Sequence, residues 1–128
     1  MLSRRFLFDS SALTLYFMGE SEKVRALVEE GDADLYCSVL SFYEVPKSMM
    51  KKGIDRATIG ASVDIMRRRF KIAGLSEGLC LKAAQCSIEH GLYAIDSMIY
   101  GSAAEKGATL VTADADFRKK RLKNVMLV

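Results

Sequence analysis

A chain of 128 residues with half its side chains apolar, about a quarter charged, one proline and nine glycines has the composition of a folded globular domain. Such a length buries roughly 65–70% of the unfolded surface around one core, so a second domain is excluded, as are disordered, collagen-like and mucin-like chains. The net charge of +3 is unevenly placed, with eight basic and ten acidic residues in 1–64 but eleven and six in 65–128. The basic excess sits in two runs, Arg67-Arg68-Arg69-Phe70-Lys71 and Arg118-Lys119-Lys120-Arg121-Leu122-Lys123. These permit a polyanionic partner without demanding one, because solvated helix faces also produce such runs.

The predicted elements alternate short apolar strands with amphipathic helices. Residues 5–8 read as an opening strand, followed by a helix over 10–18 and a second over 23–30, capped by Ser21 and ended by Gly31. A short strand covers 34–38 and a helical segment 39–52, closed by Gly53. Pro46 lies inside that segment, where it removes a hydrogen bond and clashes with the carbonyl four residues back, so the helix should start late or kink. Asp55 caps a helix running to Phe70, whose Ile59, Val63, Met66 and Phe70 form one apolar stripe. A brief strand at 71–75, a helix from Ser76 to His90 and another over 95–106 follow. Residues 108–112 are the clearest buried strand, Asp114 opens a short basic helix, and 125–128 form a last strand. Strands separated by helices imply an α/β fold with a mainly parallel sheet and helices on both faces.

The start of the chain superficially resembles a secretion signal, since Arg4-Arg5 precedes an apolar stretch. Asp9 in the middle of that stretch argues against it, no run is long enough to span a membrane, and a soluble cytoplasmic protein is expected. Cys37, Cys80 and Cys86 show no paired spacing and read as buried small hydrophobes, so neither disulfides nor zinc are indicated. His90, the only histidine, precedes Gly91 at a helix end, where an imidazole meets the last carbonyls.

Open parallel sheets bind ligands beyond the carboxyl ends of their strands. Asp9 directly follows one strand, and Asp114 follows another with Asp116 two residues on. Asp96 starts on the buried face of its helix, above Ile99, Tyr100 and Ala103, and Glu44 lies among Phe42, Tyr43 and Val45. Each acid also has a plain structural role. Asp9, Asp96 and Asp114 stand where helix N-caps are expected, and Ser41-Phe42-Tyr43-Glu44 reads as a capping box. The set favours chemistry, because these four acids are embedded in apolar sequence while most others stand in charged stretches. Two unit charges 4 Å apart repel by about 4 kcal/mol at an effective dielectric near 20. A divalent cation relieves this, all-oxygen ligands select Mg2+ or Mn2+, and such a cleft suits phosphodiester hydrolysis.

The neighbourhoods Phe6-Leu7-Phe8-Asp9-Ser10-Ser11-Ala12-Leu13, Glu44 after Ser38-Val39, Ile95-Asp96-Ser97-Met98-Ile99-Tyr100-Gly101-Ser102-Ala103 and Leu110-Val111-Thr112-Ala113-Asp114-Ala115-Asp116-Phe117 resemble those of PIN-domain ribonucleases, especially VapC-type toxins. The likeness spans the chain in order, with the acids 35, 52 and 18 residues apart, although Pro46 departs from the family's unbroken helix after Glu44. It implies a three-layer α/β/α sandwich in which the residues matching Asp9, Glu44, Asp96 and Asp114 hold Mg2+ or Mn2+ and a water that attacks RNA. Asp116 matches a further metal carboxylate, and Ser10 and Thr112 match hydroxyl positions that orient the acids. It also implies a homodimer and a cognate antitoxin. Arg67, Arg68, Arg69, Lys71, Arg118, Lys119 and Lys120 are the candidates for contacts to the RNA backbone. Two other readings stand beside it: a degenerate PIN module that binds RNA or a protein without catalysis, and a receiver-like phosphoacceptor. The second wants a paired acid after the first strand, where this chain has Ser10 and Ser11.

Overall fold

The computed structural model describes residues 4–128; Met1 to Ser3, which the sequence reading includes in the domain, lie outside the described residues. Strand β1 (Arg5–Phe8) leads into helices α1 (Ser10–Phe17) and α2 (Glu22–Glu29). Strand β2 (Asp34–Ser38) is followed by α3 (Ser41–Lys51) and α4 (Arg56–Arg69), and β3 (Lys71–Ala73) by α5 (Glu77–His90) and α6 (Ala94–Glu105). Strand β4 (Thr109–Thr112), the single-turn α7 (Ala115–Arg118) and β5 (Val125–Leu127) complete the chain.

All strand pairings are parallel, in the order β3-β2-β1-β4-β5. The first two crossovers carry the chain outward from β1 to β2 and β3; the third brings it back past β2 and β1 to β4. The winding direction therefore reverses between β1 and β4, where the connections leaving the carboxyl ends of the two strands diverge and open a crevice. Asp9 and Asp114 follow those two strands.

Alternation along β1 sends Phe6 and Phe8 to one face and Leu7 to the other. Phe6 and Phe8 pack with Leu13, Val24, Val28, Val45, Met49 and Met66 from α1 to α4. Leu7 joins Leu110, Leu92, Ile99, Ala103 and Phe117 on the opposite face. The result is the expected three-layer sandwich. On α4, Ile59, Met66 and Phe70 are buried as the stripe requires, with Val63 half-buried. Gly101 lets α5 and α6 approach, since a Cβ there would stand 3.2 Å from Leu79 Cδ1.

Local departures have local causes. Helix α3 starts at Ser41, two residues later than expected, and its first turn is tightened by Phe42 N–H donating to the Val39 carbonyl at 3.1 Å. Pro46 sits inside the helix, which continues to Lys51. The expected capping box does not form: Leu40 occupies the cap position without a side-chain bond, and the buried Ser41 hydroxyl has no partner among the described residues. Only Cys37 of the three cysteines is buried, Cys80 being exposed and Cys86 half-buried on α5. His90 ends α5 before the left-handed Gly91, at φ 66°, as its sequence position suggests.

Candidate active site at the sheet crevice

Asp9 is a helix cap and more. It is 6% exposed, and its Oδ1 accepts from the Ala12 N–H at 2.9 Å and from the Ser11 hydroxyl at 2.6 Å. Its Oδ2 accepts from the Thr112 hydroxyl. Burial pushes the Asp9 carboxyl above the usual range, and the Ser11, Thr112 and Ala12 donors counter part of that rise. Thr112 also holds the backbone of Asp114, because its oxygen accepts the Asp114 N–H at 3.0 Å. Ser11 in turn accepts the Ala113 N–H at 2.9 Å. Two hydroxyls thus staple the loop after β1 to the loop after β4. Ser11 escaped the sequence reading, which placed the orienting roles on Ser10 and Thr112; Thr112 bonds Asp9, and the Ser10 hydroxyl stands beside Glu44.

Asp114 caps α7 through Oδ1, which accepts the Asp116 N–H at 2.9 Å. Asp96 is not a cap: Tyr93 holds that position, and Asp96 lies in the first turn of α6, half-buried. One carboxylate oxygen from each of Asp96, Asp114 and Asp116 lies within 4.8 Å of the others. Partial burial pushes the Asp96 carboxyl up to about 6, reinforced by the charges of Asp114, Asp9, Glu44 and Asp116 in that order. Glu44, half-buried on α3, is raised by burial, lowered by the Ser10 hydroxyl, and raised again by Asp9 and Asp114. The fold brings all five acids into one another's field, from segments up to 107 residues apart.

The donor set suits a hard divalent cation. Every candidate ligand is a carboxylate oxygen, no histidine or cysteine joins the group among the described residues, and the trio sits at a half-open mouth with room for water and substrate oxygens. A cavity of about 240 Å3 is lined by Asp96 and Asp116 together with Tyr93, Lys119 and Lys120. Lys120 Nζ donates to the Gly91 carbonyl at 3.1 Å, which anchors that wall.

The other predicted basic run is elsewhere. Arg67, Arg68 and Arg69 end α4 and Lys71 begins β3, so they stand at the amino edge of a parallel sheet, opposite the acids. Arg67 pairs with Asp64 at 2.9 Å, Lys71 with Asp34 at 3.1 Å, and Arg69 donates to the Val28 carbonyl at 2.8 Å. A separate cavity, about 430 Å3 between α1, α2 and α4, lies away from the five acids of the crevice and holds the Arg25–Glu29 pair.

The PIN domain model matches residues 6–123, nearly the whole described chain. The chain belongs to the PIN-domain family. PIN domains are generally nucleases and typically use divalent metal, and the match sets aside the receiver-like reading. No curated protein sequence matches. Among solved structures, a toxin-antitoxin complex from Klebsiella pneumoniae superposes with a TM-score of 0.75 at 18% identity, covering 94% of each chain. A DNA-bound VapBC from Salmonella typhimurium reaches 0.76 at 17% identity, covering 96% of this PIN domain and 97% of that chain. VapC20 of Mycobacterium tuberculosis, a sarcin-ricin loop cleaving toxin, reaches 0.72 at 14%, covering 94% and 98%. Identities this low establish a shared fold. No helix among the described residues is long and apolar enough to cross a membrane.

Proposed function

We propose that this PIN domain is a Mg2+- or Mn2+-dependent endoribonuclease, the toxin of a toxin-antitoxin pair, acting in the cytoplasm as a homodimer restrained by a cognate antitoxin. The observation that carries the reading is the convergence of Asp9, Glu44, Asp96, Asp114 and Asp116 at the reversal point of the sheet, beside Lys119 and Lys120. The toxin assignment is supported by the whole-chain likeness to VapBC proteins.

Asp96, Asp114 and Asp116 would hold the cation, with Asp9 behind them fixed by Ser11 and Thr112. When bound, Mg2+ or Mn2+ would neutralise the carboxylates, acidify water and stabilise charge developing on the phosphoryl oxygens. Burial of Asp9 between two hydroxyls keeps its charge in one place, so the crevice does not reorganise as phosphorus is attacked. Glu44 faces the same space from α3, where it orients the attacking water or takes its proton. Lys119 and Lys120 contact backbone phosphate, which positions the RNA without reading its sequence.

The test is incubation of the purified chain with RNA and Mn2+, with and without EDTA, alongside Asp96→Asn. Cleavage that needs the metal and falls at least ~100-fold in the variant supports the proposal. Binding without cleavage, unchanged by EDTA, identifies the non-catalytic module instead.

A further inference from the structure

Helix α3 carries basic residues that its sequence hides as an ordinary solvated face. Tyr43, Lys47 and Lys51 recur every four residues along one line, and Glu44, Ser48 and Lys52 along the next. The second line starts at the acidic crevice and runs away from it against α1. Two adjoining cavities follow it. One, about 240 Å3, is lined by Glu44, Ser10, Ser48, Lys47 and Lys51; the other, about 300 Å3, by Ser10, Ser11, Ser48, Thr14 and Lys52. The second cavity reaches Ala113, the residue before Asp114 in the loop after β4, and the first includes Glu44 itself.

The groove is lined with hydroxyls and ammonium groups. Lys47, Lys51 and Lys52 are exposed, and none forms an ion pair among the described residues, unlike Arg67 and Lys71. Thr14 lines the groove at 6% exposure, and its buried hydroxyl has no partner among the described residues. Lys51 near the helix end is favoured by the helix dipole, but that effect fades within the last turn and does not account for Lys47. Tyr43 is 66% exposed, with the Lys47 ammonium 5.2 Å from its ring centre, and presents a flat surface at the mouth.

Resting on the ribonuclease reading, we infer that the groove between α1 and α3 is a backbone track for single-stranded RNA, in which Lys47, Lys51 and Lys52 contact the phosphates leaving the acidic crevice. Ser48 and Ser10 hydrogen-bond the same phosphate oxygens, and the Tyr43 ring stacks on a base at the mouth. Lys119 and Lys120 occupy the other side of the crevice, so the scissile bond lies between two cationic flanks. The Arg67 to Lys71 run plays no part.

The experiment measures binding of a short fluorescein-labelled single-stranded RNA by anisotropy in EDTA, across a salt series, so no cleavage intervenes. The triple variant Lys47→Gln/Lys51→Gln/Lys52→Gln is compared with wild type and with Arg67→Gln/Arg68→Gln, all confirmed folded by thermal melts. Each lost phosphate contact lowers the log–log salt slope by roughly 0.7, so the lysine variant should lose about 2 and bind roughly 10–100-fold more weakly at low salt. The arginine variant should match wild type. An unchanged slope in the lysine variant, an equal loss in the arginine variant, or a wild-type chain that binds no RNA overturns the inference. Lysine-dependent binding in a chain that cleaves nothing supports the track and refutes the nuclease, whereas cleavage with unaltered binding in the lysine variant refutes the track alone.

Discussion

Replacing Asp96 by Asn should stabilise the metal-free protein at neutral pH while abolishing its activity. The folded carboxyl of Asp96 is raised from 3.8 to about 6 by burial and by four neighbouring acids, so the folded chain keeps a proton that the unfolded chain has lost. Between these values the native state binds more protons, and stability falls as pH rises. The contribution is fully present below about 3.8 and lost as pH passes through about 6. The full shift is equivalent to about 3 kcal/mol, but Asp96 is half-exposed and solvent screening reduces this to about 1–2 kcal/mol. An acid in the first turn of a helix gains about 0.3–1 kcal/mol from the dipole, which the substitution forfeits. A net gain of about 1 kcal/mol remains, or roughly 3–5 °C in melting temperature for a domain of this size. Circular dichroism melts in EDTA at about pH 7.5, well above the raised value, should show the Asp96→Asn variant above wild type, with the gap closing towards about pH 4. Added Mn2+ should raise the wild type and leave the variant where it was. A variant less stable than wild type in EDTA at the higher pH would refute the claim that these acids repel one another in the folded state.

Thr112→Val keeps the side chain's shape but removes the hydroxyl shared by Asp9 and the Asp114 N–H; Mn2+ affinity should fall about 10–100-fold in a calorimetric titration. Phe8 is fully buried, with its ring edge-on to Phe70 at a centroid distance of 5.6 Å, so Phe8→Ala should cost about 3–5 kcal/mol in urea unfolding. Asp55 caps α4 through Thr58 N–H at 3.0 Å and stands outside the acidic group, so Asp55→Ala should lower the melting temperature by a few degrees and leave cleavage intact.

The elements were legible because each had a local signal: four-residue apolar strands, capping residues at Ser21, Asp55 and Ser76, and a positive-φ glycine after α3, α5 and α6. Cap and site stand as rival roles for Asp9 and Asp114 in the sequence, yet a carboxylate has two oxygens. Asp114 caps with Oδ1 while a carboxylate oxygen stands among those of Asp96 and Asp116. Ser11 was missed because neighbouring residues in a helix point about 100° apart, and spacing alone does not say which hydroxyl turns back to Asp9. Of the two basic runs, Lys119 and Lys120 stand beside the acids, whereas Arg67 to Lys71 lies apart from them. A dense cluster such as Arg67-Arg68-Arg69 stands out in sequence, but its place is set by the strand that follows it. Lysines spread at helical spacing along α3 become a patch only when α1 packs beside them.

On this reading five carboxylates from four segments of the chain form one site for a hard dication. The most direct test is a Mn2+ titration followed by electron paramagnetic resonance, comparing wild type with Asp96→Asn and Asp114→Asn. The wild type should bind Mn2+ saturably, and either substitution should abolish that binding. Equal binding by all three chains, or none by the wild type, would contradict this reading.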